Sequence, residues 1–121
     1  MIKQLWSNYE NNLLKSPLKK IEALIGFATK AGKVVSGDQA VKAKLRHGTV
    51  RLLILAEDAS QEITEYYCFK GLELGIPVIV SGTKLELGLA AGKSQRAVIG
   101  IMDKGFASSI LKQVRENVVM D

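Results

Sequence analysis

The chain has 121 residues, of which 47% are hydrophobic, 24% charged and 6% aromatic, the composition of one ordinary folded domain rather than a disordered or repetitive chain. Lys and Arg number 17 against 12 Asp and Glu, a formal charge of +5, which points toward polyanionic partners. The single cysteine, Cys68, excludes an internal disulfide and a Cys-ligated zinc site, and there is neither a membrane-length apolar run nor a signal peptide, so a reducing cytoplasm is expected and a membrane partner is not.

Residues 1–15 place Ile2, Leu5, Trp6, Tyr9 and Leu13 at helical spacing, but Ser7, Asn8, Asn11 and Asn12 are weak helix formers. The segment reads as a terminal arm without assigned function, set apart from a single domain over residues 16–121. Ser16 as N-cap and Pro17 at the first helical position predict a helix carrying Leu18, Ile21, Ile25 and Ala28 on one face and stopping at Gly32. Val34 and Val35 make a short strand; Ser36-Gly37-Asp38 opens a second helix with Val41 and Leu45 inward, ended by Gly48. Val50 to Ala56 is apolar on both faces and predicts a central buried strand.

Asp58 or Ser60 caps the next helix, with Ile63, Tyr66, Tyr67 and Leu74 on one face and Gly75 and Pro77 at its end. Val78 to Val80 is the following strand. Thr83 and Glu86 match a capping box, which starts a helix through Leu85 and Leu89 to Gly92. Ala97 to Met102 supplies the last strand, and Asp103 caps a final helix with Phe106, Ile110, Leu111 and Val114 toward the core. Helix and strand alternate, which argues an α/β domain with a small sheet of about four strands between two helical layers.

Charge is concentrated. Lys30, Lys33, Lys42, Lys44, Arg46 and Arg51 face one acid, Asp38, and the following helix reverses the balance with Glu57, Asp58, Glu62, Glu65 and Glu73 against Lys70. Lys84, Lys93, Arg96 and Lys104 form a third, basic group. If the second helix and the loop from Gly92 to Arg96 lie side by side, they form a cationic face, with backbone amides at Gly37 offered to a phosphate; lysines that merely solvate helices are the competing reading.

The run Gly88 to Ser94 ends in Gly-Lys-Ser, but it is one residue short of a P-loop and follows a helix instead of a strand, which argues against nucleotide hydrolysis. His47, beside Gly48, suits a helix end; Cys68 suits a packed small hydrophobe; Glu57 and Asp58 suit helix capping more than acid–base chemistry.

Gly37 to Gly48, then Leu52-Leu53-Ile54-Leu55-Ala56-Glu57-Asp58-Ala59, then Ile76 to Gly92 with Ser81-Gly82-Thr83-Lys84-Leu85-Glu86-Leu87-Gly88-Leu89-Ala90-Ala91-Gly92, stand in a telling order. Over about Leu18 to Val114 the chain resembles the superfamily of archaeal and eukaryotic large-subunit ribosomal proteins that bind kink-turn RNA, most closely its bacterial YlxQ-type members. The resemblance implies a three-layer α/β/α domain around a mixed sheet, monomeric, with no catalytic residue, cofactor or metal, whose second helix enters the widened groove of a kinked RNA while a later loop closes over an extruded base. Its partners would be structured RNA of the kink-turn or ribosomal kind and the ribosomal subunit.

Position by position, the resemblance gives Gly37 the close approach to RNA, Gln39 the place of an asparagine that contacts tandem sheared G·A pairs, and Lys84 a place near the RNA backbone. Lys93, Ser94, Gln95 and Arg96 occupy the closing loop, Lys42 can serve a phosphate, and Asp38 belongs only if it caps the helix or accepts from a base amino group. Two departures stand out: Ala40 replaces the usual glutamate and Ala43 the usual lysine, while the loop is polar where relatives are apolar. Recognition through RNA shape and backbone more than through bases is therefore expected. The alternative is a protein-interaction module of ribosome assembly or translation, with the basic face on an acidic partner.

Overall fold

A computed structural model describes residues 13–118. Leu14–Lys15 forms β1, and Leu18–Lys20 is a turn of 3-10 helix. There follow α1 (Glu22–Lys30), β2 (Val34–Ser36), α2 (Asp38–Arg46), β3 (Leu52–Leu55), α3 (Gln61–Leu74), β4 (Val78–Val80), α4 (Lys84–Ala90), β5 (Val98–Ile101) and α5 (Lys104–Val118). The sheet has the order β1-β4-β3-β5-β2, with β1, β4 and β3 mutually parallel and β5 antiparallel to both β3 and β2. It is mixed, as expected, but has five strands.

The extra strand lies at the end of the segment read as an arm, where Leu14 pairs with Ile79 and Lys15 with Val80. Two residues carry no periodicity, so only the exposed edge of β4 makes them a strand. The apolar arm positions up to Tyr9 lie outside the described residues; Leu13 packs against the core. Ser16 is not a helix cap. It is buried, its N–H donates to the Val80 carbonyl at 3.1 Å and its own carbonyl accepts from the Ser81 hydroxyl at 2.7 Å, so it continues the strand pairing and the α-helix starts only at Glu22.

Strand alternation divides the core. Leu52, Ile54, Ile79, Ile99 and Ile101 face Ile21, which immediately precedes α1, and Ile25, Leu87, Ile110 and Val114 of α1, α4 and α5. Leu53, Leu55, Val78 and Val98 face Val41 and Leu45 of α2 and Tyr67 and Cys68 of α3. β3, central and covered on both sides, is buried at all four positions, which is why its sequence has no polar alternation. The α3 face differs from the expected one at its end: Leu74 is exposed, and the buried positions are Tyr67, Cys68 and Gly71. Ser60, not Asp58, caps α3, accepting from Ile63 N–H at 3.1 Å.

Candidate nucleic-acid interface

Because β2 and β5 are antiparallel neighbours, the residue that leaves β2 meets the residue that enters β5. Gly37 N–H donates to the Val98 carbonyl at 3.0 Å. A Cβ on Gly37 would stand 3.7 Å from Cδ and Nε of Arg96, so the arginine stem lies across the glycine. Gly37 has φ +94° and ψ 152°, a backbone state essentially restricted to glycine. Arg96 Nε donates to Ser36 Oγ at 3.3 Å, and its Nη1 donates to Ser94 Oγ at 3.0 Å and to the Gln95 carbonyl at 2.9 Å.

Gly37 is the N-cap of α2 and no side chain caps this helix; Val41 N–H, bonded to the Gly37 carbonyl at 2.9 Å, starts the ladder. The amides of the first turn are thus left pointing outward beside a guanidinium. Asp38 stands in that turn without serving it. Its Oδ1 accepts from the Tyr67 hydroxyl at 2.6 Å and its Oδ2 pairs with Lys42 Nζ at 3.3 Å. The same hydroxyl lies 3.0 Å from the Asp38 carbonyl. Lys42 Nζ is 4.6 Å from the centre of the Tyr66 ring, which meets Tyr67 edge-on. Burial, then the hydrogen bond to Asp38 and its negative charge, push the Tyr67 phenol far above the usual tyrosine range.

The loop after α4 folds back along it. Lys93 N–H donates to the Gly88 carbonyl at 2.8 Å and Arg96 N–H to the Lys84 carbonyl at 3.0 Å. Gly88 sits mid-helix because a Cβ there would collide with the Ser94 carbonyl. The N-terminus of α4 is closed by its own capping box, Thr83 Oγ1 accepting from Glu86 N–H at 3.2 Å and Glu86 Oε1 from Thr83 N–H at 2.9 Å. Asp58 Oδ1 accepts from Lys84 N–H at 2.7 Å, so Asp58 caps, but on α4 instead of α3.

Of the residues singled out in the sequence, Gly37, Lys84, Ser94, Gln95 and Arg96 are joined by these contacts, and Lys93 lies one turn along on Gly88. Gln39 is exposed in the first turn of α2. Lys42 and Asp38 are tied to the tyrosines. The basic residues do not form one face: Lys33 and Arg51 flank the other end of β5, through Met102 N–H to the Lys33 carbonyl and Arg51 N–H to the Ile101 carbonyl, and Lys104 follows that end. The Gly-Lys-Ser run joins α4 to β5, not a strand to a helix. His47 ends α2 through its backbone N–H, shared between the Ala43 and Lys44 carbonyls. Among the described residues no group of three His, Cys, Asp or Glu is placed to hold a metal, and no helix is long and apolar enough to cross a membrane.

Sequence reasoning missed Tyr67 as the anchor of Asp38, Ser36 as a partner of Arg96, and Gly88 as the seat of the loop. Only Gly88 carried a signal, since a glycine inside a capped helix costs about 1 kcal/mol of propensity and asks for a packing reason.

Residues 19–111 match the ribosomal protein L7Ae/L30e/S12e/Gadd45 family. The chain is 33% identical over 88 residues to the RNA-binding protein YlxQ of Bacillus subtilis, covering 73% of this chain and 88% of that one. It is 37% identical over 92 residues to large ribosomal subunit protein eL30 of Pyrobaculum islandicum, covering 72% and 87%. Among solved structures, a Bacillus halodurans protein of unknown function superposes with a TM-score of 0.74 at 33% identity, over 78% of this chain and 95% of that chain.

Proposed function

The chain belongs to the ribosomal protein L7Ae/L30e/S12e/Gadd45 family, and from that premise we propose that it is a non-catalytic, cytoplasmic, monomeric RNA-binding protein that recognises kink-turn-like bends in ribosomal or ribosome-associated RNA. The observation that carries this reading is the junction of Gly37 with Arg96, which sets an uncapped helix N-terminus, a guanidinium and an exposed polar loop on one end of the sheet. The amides and Arg96 suit phosphate oxygens, Gln39 suits a base edge, and Lys42, Lys84 and Lys93 suit the backbone. Ser94 and Gln95 present hydroxyl and amide groups over a displaced nucleotide. Asp38 acts from behind: held by Tyr67 and Lys42, it fixes the first turn and keeps its own charge off the phosphates. With Ala40 and Ala43 where relatives carry longer polar side chains, the bend itself supplies most of the selectivity.

The test is a titration of the protein against a labelled kink-turn RNA and a straight duplex of equal length at two salt concentrations. Preference for the kinked RNA that persists at the higher salt is expected; equal, steeply salt-dependent binding to both refutes bend recognition. One observation favours a second reading, a protein-interaction module: Leu85 and Leu89, one turn apart on α4 beside the loop, are 55% and 67% exposed. Binding that ignores RNA bend but is lost in a Leu85→Ser, Leu89→Ser variant with an acidic protein partner would select it.

A further inference from the structure

The end of the sheet opposite the candidate interface gathers cations from three separate connections. Lys30 ends α1 and Lys33 lies between α1 and β2, Lys44, Arg46 and Arg51 run from α2 into β3, and Lys104 follows β5. β3, β5 and β2 are adjacent, so the three connections meet at one place. All six residues are exposed. The acid among them, Asp103, is occupied in accepting from Phe106 N–H at 2.9 Å, and Glu73 on neighbouring α3 is paired with Lys70 at 3.0 Å. Among the described residues none of the six cations has a carboxylate partner within ion-pair distance.

Helix electrostatics accounts for half of them. Lys30, Lys44 and Arg46 lie in the last turns of α1 and α2, where a cation offsets the negative end of the dipole. Lys33 and Arg51 lie outside any helix, and Lys104 is the first residue of α5, whose first turn has no acid. A cation at a helix start opposes the dipole, so Lys104 is placed against local stability. Nor do these charges serve the interface at the other end. Lys33 and Gly37 bracket the same strand, four residues or about 13 Å apart, beyond the Debye length of about 8 Å at physiological salt.

We infer that this end is a second RNA-binding face, taking the sugar–phosphate backbone of a duplex segment other than the one at Gly37 and Arg96, so that one molecule holds two RNA segments together. The second face goes beyond the proposed function, while the holding of two segments by one molecule rests on that reading of the Gly37–Arg96 end. Three unpaired cations, two from loops and one from the first turn of α5, give charge without directional base contacts, which suits a duplex backbone.

The test uses the whole chain with two probes labelled differently, a kinked hairpin and a straight RNA duplex. The wild type is expected to hold both in one ternary complex. Lys33→Glu, Arg51→Glu, Lys104→Glu together should abolish the ternary complex, weaken duplex binding at least about tenfold and lower its log–log salt slope by about three, roughly 0.9 per lost phosphate contact. Hairpin affinity should stay within about twofold, since the faces lie beyond a Debye length of one another. The neutral triple variant to Gln, which removes charge without adding repulsion, should lose the same salt slope and decides the matter if the Glu variant does not fold. Unchanged duplex binding in the Gln variant, displacement of duplex by hairpin one for one, or equal competition by polyglutamate overturns the inference. Lys84→Ala with Arg96→Ala should weaken only the hairpin; if the hairpin is unaffected, the proposed function fails while the duplex arm still judges the second face.

Discussion

Helices α2 and α4 start at the same end of the sheet, yet their first turns are finished in opposite ways. At α4, Thr83, Glu86 and Asp58 take up the turn's amides with three side-chain hydrogen bonds. At α2, Asp38 is present but turned to Tyr67 and Lys42, and no side chain caps the helix. Capping stabilises a helix and at the same time removes its amides from any ligand. The α4 terminus is therefore structural and fixes the loop that Arg96 closes, while the α2 terminus forgoes that stability and leaves its first-turn amides without side-chain acceptors, as the proposed phosphate contact requires.

The largest break in this division should come from Gly88→Ala. Alanine gains helix propensity, but its Cβ collides with the Ser94 carbonyl, and relieving such overpacking costs about 1–3 kcal/mol. A lowered denaturation midpoint together with at least about tenfold weaker RNA binding is expected; a variant as stable as the wild type would show that the loop is not seated on Gly88. Gly37→Ala comes next. The site has room for a Cβ, so its cost is backbone strain, about 1–3 kcal/mol, and relief of that strain would move the first turn of α2 away from Arg96.

A matched pair sharpens the contrast. Asp58→Ala removes a cap of α4 and Tyr67→Phe removes the anchor of Asp38, each at about 1 kcal/mol in chemical denaturation. Only Tyr67→Phe should weaken RNA binding, by freeing a carboxylate near phosphate, and adding Asp38→Asn should restore it. Equal RNA affinities for the two single variants would erase the functional distinction between the termini.

The Tyr67 phenol also predicts a pH dependence. Its pKa is raised in the folded state, so the unfolded chain loses this proton first: stability is fully present below about pH 10 and falls above it, by up to about 1.4 kcal/mol per pH unit. Tyr67→Phe should flatten that part of a stability curve measured by thermal melting; an unaltered slope would remove Tyr67 as its source. The smallest effects belong to single lysines. Lys42→Ala and Lys84→Ala should each lower the log–log salt slope of RNA binding by about one or less, and Lys42 the less of the two, because its charge is already shared with Asp38 and Tyr66.

Much of the fold could be read along the chain because its signals act within a turn or a strand. The Thr83–Glu86 box, the Asp103 cap, the glycine stops and the two-sided apolar β3 each depend on residues at most four apart, and the structure has them. The α/β layering followed from their alternation, and the candidate residues at Gly37 and in the loop followed from the resemblance to a family.

What the tertiary structure decided lies at long separations. Ser36 meets Arg96 across 60 residues, Tyr67 reaches Asp38 across 29 and Lys84 meets Asp58 across 26. β1 exists because the edge of β4 was open to it, and Ser16 became a buried strand neighbour where its local sequence suggests a cap. The division of the cations between two ends depends on the same order, β1-β4-β3-β5-β2. Periodicity and capping rest on hydrogen bonds between near neighbours and so are written locally, whereas which acid meets which hydroxyl, and which lysines share a face, depends on how the whole apolar core stacks its strands.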